Sequence, residues 1–140
     1  LLPGLDYSRE VAACEEHELG HTFLVDGPTG RLDGFAVLRT VPFRSRDTSG
    51  RGYIHVLAIR PGADERAVLV ELLRQVWCRG ASLGLTQIIT GINGRYRDAT
   101  ALLLESGFRS VRAAIRMASV DSLPDAFTVS TGVNLSRWAG

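Results

Sequence analysis

Residues 53–73, YIHVLAIRPGADERAVLVELL, combine the residue types best suited to holding a ligand: an apolar strand, a break at Pro61 and Gly62, and then a helix. The first backbone N–H groups of a helix have no carbonyl partner within it and carry the positive end of its dipole. A strand that feeds a helix through a tight loop therefore presents donors to an anion. Any ligand is expected at this junction. The loop, however, holds Asp64 and Glu65 where a phosphate calls for glycine and positive charge. An acidic first turn complements the helix dipole with the protein's own charge, which favours an ordinary capped helix. Arg60 and Arg66 offset the repulsion only if they turn toward the ligand.

Other reactive residue types carry less. His17 and His21 have the spacing that places two imidazoles on one helical face, but Gly20 and the following TFLV end the helix first, so no metal is expected. Glu15, Glu16 and Glu18 read as a solvated face. Cys14 and Cys78 are far apart and lack nearby metal-ligand companions, and are expected to be buried, unpaired thiols. All 16 basic residues are arginine, which excludes a lysine nucleophile or Schiff base within this chain. A formal net charge of +1 offers no field for nucleic acid or a membrane surface. No apolar run approaches the ~20 residues that cross a bilayer, and LLPGLDYSRE lacks the pattern of a signal peptide. The expected compartment is cytoplasmic.

The elements that must position the junction follow from periodicity. Leu1–Gly4 is a turn-like entry, and Tyr7–Leu19 reads as a short helix capped by Asp6 or Ser8. His21–Val25 and Leu32–Thr40 read as strands joined by the Gly- and Pro-rich loop Asp26–Gly30. Phe35 and Val37 fall on one face of the second strand, Ala36 and Leu38 on the other, so this strand belongs in a sheet covered on both sides. Val41–Gly52, with Arg44, Arg46, Asp47 and Arg51, reads as a solvated loop. Along Tyr53–Ile59 a period of two puts Tyr53, His55, Leu57 and Ile59 on one side and Ile54, Val56 and Ala58 on the other.

In the helix that follows, Val68, Leu69, Leu72, Leu73, Val76 and Trp77 form one apolar stripe, and Arg79–Gly80 is expected to close it. Thr86–Ile92 is then a strand parallel to Tyr53–Ile59, since a strand-helix-strand crossover favours that arrangement. A second helix is expected over about Arg95–Ser106, with Ala99, Leu102 and Leu103 inward and Gly107 at its end. Phe108–Ala118 reads as a strand, Asp121–Pro124 as a turn, and Ala126–Val133 as a last strand pairing back as a hairpin. With 140 residues and no repeat or linker, the sequence describes one α/β domain over 1–140.

This order, with the segments GRLDGFAVL, YIHVLAIRP and ATALLLESGF, resembles the GNAT superfamily of acyl-CoA N-acyltransferases over roughly His21–Met117. The last segment is similar to the family's A-x-x-L-Y-x-x-x-G-F pattern. The resemblance implies a GNAT-like mixed sheet: antiparallel N-terminal strands, a central strand-helix-strand, a second helix and a C-terminal antiparallel hairpin. It implies acetyl-CoA as cosubstrate, without a metal, and a small-molecule or peptide amine as acceptor, with neither nucleic acid nor membrane as partner. Family members splay the central strand from its parallel neighbour, and pantetheine pairs with the central strand's backbone, here Leu57, Ala58 and Ile59. The family's pyrophosphate loop, usually [QR]-x-x-G-x-[GA], maps onto Asp64, Glu65, Arg66, Ala67, Val68 and Leu69. Arg66, Ala67 and Val68 are thereby the candidate pyrophosphate contacts.

The chain also departs from the family. Leu103 stands where many members have the tyrosine that protonates the leaving thiolate; Tyr96, two turns or ~10 Å earlier on about the same helical face, is the substitute candidate beside partial burial at a helix start. His55 occupies a position where some relatives carry a glutamate, and reads either as a general base for the amine or as a hydrogen-bonded structural histidine. Tyr53 is expected to orient a water or line the acceptor cleft, and Asn93 either binds pantetheine or starts a helix. The family's first strand and first helix normally precede the segment matching Tyr7–Leu19. Either that part is missing here, or another domain or subunit completes the acceptor side. The competing reading is thus a non-catalytic GNAT-like domain, serving as a homodimerising or tandem half or as a module for a less anionic ligand.

Overall fold

The computed structural model describes residues 6–41, 50–93 and 96–113 with their side chains and Asn134–Ser136 by backbone alone. Helix α1 (Ser8–Glu16) is followed by strands β1 (Gly20–Asp26), β2 (Leu32–Arg39) and β3 (Arg51–Ile59). Helix α2 (Glu65–Ser82), strand β4 (Gln87–Thr90), helix α3 (Arg97–Glu105) and strand β5 (Asn134–Ser136) complete the order. β1, β2 and β3 form an antiparallel meander, β4 pairs parallel with β3, and β5 pairs antiparallel with β3. This is the expected α/β mixed sheet, with the parallel strand-helix-strand unit at its centre. The expected loop residues 42–49, the entry 1–4, the end of the strand expected over Phe108–Ala118 (residues 114–118), the turn Asp121–Pro124 and the strand Ala126–Val133 lie outside the described residues. Within the expected strand Phe108–Ala118, residues 108–113 carry no strand pairing.

Two apolar layers lie on the two faces of the sheet. Ala36, Leu38, Ile54, Leu57 and Ile59 pack with α2 and α3, while Phe35, Val37, Val56 and Ala58 pack with Cys14 of α1. The alternation expected in β2 is therefore observed. In β3 it slips: Ile54 shares a face with Leu57 and Ile59 rather than with Val56 and Ala58. The cause is a β-bulge. Val37 pairs with Val56 but Leu38 pairs with Ile54, so His55 is an extra residue in β3 with no opposite number on β2. A second bulge in β2 sets off Asp33, between the Val25–Gly34 and Asp26–Leu32 pairs.

Helix α2 lies close to the sheet at Gly34, where a Cβ would come within 2.6 Å of Val68 Cγ1. Leu57, Leu69 and Leu72 are at most 1% exposed, and burying each contributes about 1.5–3 kcal/mol. Trp77, expected in the stripe, is 59% exposed because it falls at the stripe's margin. The helix also outruns the expected end at Gly80. Gly80 is a packing residue whose Cβ would sit 3.0 Å from Ile88 Cδ1 of β4.

The left-handed residue that ends α2 is Gly84, at φ +70°, with Leu85 N–H on the Gly80 carbonyl (2.9 Å) and Gly84 N–H on that of Ala81 (3.0 Å). Gly107 ends α3 in the same way, and Phe108 N–H reaches the Leu103 carbonyl at 3.0 Å. In α1 that position is held by Glu18, at φ 51°. Both cysteines are free, as expected, but only Cys14 is buried; Cys78 is on the outward side of α2 and exposed.

Candidate active site

The centre of the sheet forks. β2 covers one edge of β3 from Tyr53 to Ile59. On the other edge β4 pairs only with Arg51–Ile54, through Gln87–Thr90, and then departs. The expected parallel strand Thr86–Ile92 is therefore shorter at both ends, and Gly91, Ile92 and Asn93 run on without ladder bonds. Beyond the fork, Val56, Leu57 and Ala58 pair with Ser136, Leu135 and Asn134 of β5. His55, the bulged residue, stands between the last residue of β3 paired to β4 and the first paired to β5. A bulge at such a point raises the local twist and re-aims the strand.

Beyond Ile59, the chain turns through Gly62 (φ +80°) into α2. Asp64 is the N-cap of α2, and its Oδ1 accepts the Ala67 N–H at 3.0 Å. The donor at the centre of the expected pyrophosphate loop is thus occupied by the protein's own carboxylate. Glu65 adds a second negative charge in the first turn.

The two arginines that could offset this are committed elsewhere, to different degrees. Arg60 donates through both Nε and Nη2 to Asp33 Oδ1, and its backbone N–H reaches the Asp33 carbonyl at 2.7 Å. Asp33 is 6% exposed, so removing Arg60 from it would leave a buried carboxylate without its cation. Arg66 instead meets Glu105 of α3 at 3.2 Å, with both side chains at least 60% exposed. Such a surface pair is worth about 0–1 kcal/mol, so Arg66 can be recruited by an anion at little cost whereas Arg60 cannot.

The remaining site residues come from β3, from the stretch after β4 and from α3. His55 is partly buried, with its Nδ1 atom buried. Tyr53, next to inward-facing Ile54 on a strand, addresses the α1 side of the sheet. Tyr96 is the N-cap of α3 and packs against the core on the other side. Leu103 is 4% exposed in that same core. The Asn93 carbonyl accepts the Tyr96 N–H at 3.0 Å. Val68 is 5% exposed, so of the loop candidates Arg66 and Ala67 are the accessible ones.

His17 caps the C-terminus of α1 while His21 lies in β1, so the two do not share a helical face. Among the described residues no group of three or more His, Cys, Asp or Glu side chains could hold a metal ion. No described helix is long and apolar enough to cross a membrane. A groove of about 610 Å³ runs along β4 and the end of α3, lined by Gln87, Thr90, Phe108 and Arg109 among others.

Two participants in the site escape a reading by pattern alone. Asp33 is a charged residue inside the apolar strand LDGFAVL, a signal that it needs a buried partner. β5 carries no local signal that it belongs on β3.

Comparison with known proteins identifies the fold. The chain matches a mutant of the BH1408 protein from Bacillus halodurans with TM-score 0.67 at 16% identity, over 84% of this chain and 76% of that one. It matches AAC(6')-Iy in complex with the bisubstrate analogue CoA-S-monomethyl-acetylneamine with TM-score 0.63 at 19% identity, over 85% and 84% of the two chains. A Trypanosoma brucei acetyltransferase gives 0.62 at 20% identity, over 84% and 82%. Neither a family model nor a curated protein matches the chain in sequence. The chain has the GNAT fold.

Proposed function

We propose that this protein is an acyl-CoA-dependent N-acyltransferase that moves an acetyl group from acetyl-CoA to the amine of a small molecule or peptide. The observation that carries this reading is the parting of β4 from β3 at His55, in a fold shared with AAC(6')-Iy, whose structure is of a complex with CoA and also of one with a bisubstrate analogue. Acetyl-CoA supplies an activated thioester carbonyl; the chain supplies position, polarisation and proton transfer.

The backbone of Leu57, Ala58 and Ile59 would hold the pantetheine arm as an added strand. A backbone N–H of β3 polarises the carbonyl, because a fixed donor in a low-dielectric cleft favours the charge that develops on oxygen. His55 accepts the proton that the attacking amine must lose as its bond to carbon forms and the C–S bond breaks. The thiolate leaves and takes a proton from water or from Tyr96. Arg66, released from Glu105, meets the pyrophosphate beside the Ala67 and Val68 positions. Tyr53 lines the acceptor side and Asn93 the pantetheine side.

A specific observation favours a second reading. The Asp64 carboxylate on the Ala67 N–H fits a domain whose cofactor loop has become an ordinary helix cap, as in a non-catalytic dimerising or tandem half. Calorimetric titration with acetyl-CoA separates the two. Micromolar to sub-millimolar binding supports the acyltransferase, and no heat or thermal shift at millimolar CoA removes it. His55→Ala should then slow transfer without weakening CoA binding, and unchanged turnover would take His55 out of the mechanism.

A further inference from the structure

β3 has only two edges, and three strands use them. With β2 on one edge from Tyr53 to Ile59, β4 and β5 must share the other, β4 at Arg51–Ile54 and β5 at Val56–Ala58. β5 thus lies in the fork itself, antiparallel to β3, with Leu135 opposite Leu57 and Asn134 opposite Ala58. These are two of the three residues whose backbone the acyl-CoA reading assigns to pantetheine. Edge donors and acceptors are exclusive: an N–H aimed at that side can serve β5 or a ligand, but not both. A ligand that adds to a sheet edge does so by taking the place a strand would take.

We propose that β5 is a built-in competitor for the acyl-CoA site, so that the fork alternates between a closed form with β5 on β3 and an open form in which the cosubstrate has replaced it. The inference rests on the acyltransferase reading and adds a mode of regulation to it. It has two structural supports. Among the described residues β5 spans Asn134–Ser136, and its pairing with β3 covers three residues, which leaves few ladder bonds there to break. The bulge at His55 interrupts β3 just before the β5 segment, so β5 can leave without disturbing the β4 ladder on the other side of the bulge. Apparent affinity for acetyl-CoA is then the intrinsic affinity reduced by the fraction of molecules that are open. Anything that captures β5, such as an added strand edge on a partner, would activate the site.

Hydrogen exchange on the unaltered chain tests this without a substitution. Saturating acetyl-CoA should speed exchange of the Asn134–Ser136 amides about tenfold or more while leaving those of Leu57 and Ala58 protected. In a second arm, Asn134→Pro with Leu135→Pro removes two backbone donors from β5 and should tighten acetyl-CoA binding about tenfold or more. Binding by the proline variant alone would also support the inference. Binding by the unaltered chain with no change at 134–136, or equal affinity in the proline variant, overturns the competitor and leaves the acyltransferase standing. No binding by either chain overturns both.

Discussion

Replacing Asp64 with serine separates two things its carboxylate does. As N-cap it accepts the Ala67 N–H at 3.0 Å, and it also puts a negative charge where a pyrophosphate would sit. Serine caps a helix about as well as aspartate, so the variant loses chiefly the charge–dipole part, about 0.3–1 kcal/mol. Alanine would lose the cap as well, about 1 kcal/mol more. The gain for an anion is larger. Two phosphate charges ~5 Å from a carboxylate in water are repelled by about 0.8 kcal/mol each, or ~1.7 kcal/mol together, roughly a 15-fold change in affinity.

Asp64→Ser should therefore bind acetyl-CoA about tenfold more tightly than the native chain at low salt while melting within a few degrees of it. The advantage should shrink by 0.15 M salt, where the screening length is about 8 Å. Calorimetry at both salt concentrations, paired with thermal melts, reads both quantities. Equal affinity at low salt with an intact fold would refute the reasoning, because it would place the anion elsewhere than at the first turn of α2.

Glu18 holds a left-handed backbone at φ 51° where α2 and α3 use Gly84 and Gly107, so Glu18→Gly should stabilise the fold by about 0.5–1 kcal/mol, seen as a higher urea midpoint. Arg60→Ala should cost about 2 kcal/mol, less than the ~3–5 of a fully buried pair because the Arg60 side chain is 33% exposed. Adding Asp33→Asn should recover part of that loss in a double-mutant cycle, and simple additivity would show that the two are uncoupled.

His21 is held below the ordinary histidine value first by burial and then by the charge of Arg79. The unfolded chain therefore takes up a proton at a higher pH than the folded one does. Stability should fall as pH drops below about 6.5, toward the lower folded-state value, and His21→Gln should flatten that part of the urea-midpoint profile between about pH 7.5 and pH 5.5. An unchanged profile would remove His21 as its source.

The sequence by itself determined what short-range pattern can determine. Alternation in β2 sorted Phe35 and Val37 from Ala36 and Leu38, and the observed layers agree. The segment LLLESGF determined the end of α3, because Gly107 can take a left-handed φ and Phe108 then folds back against the core. Asp64 was legible as a cap in a place where a phosphate loop wants something else.

Tertiary structure decided the rest, because it depends on partners distant in the chain. A bulge is a mismatch between two strands, so the slip at His55 is set by β2 as much as by β3. Gly80 and Gly84 are equally able to end a helix; contact with Ile88 of β4 made Gly80 a packing residue and left the end to Gly84. Arg60 and Arg66 are both within reach of a phosphate on paper, and only the positions of Asp33 and Glu105 show where their charges are spent. Possession of the free edge of β3 is the most distant decision of all. A strand edge offers the same hydrogen bonds to any extended chain, so no local pattern at Val56–Ala58 could reveal that β5 would take them.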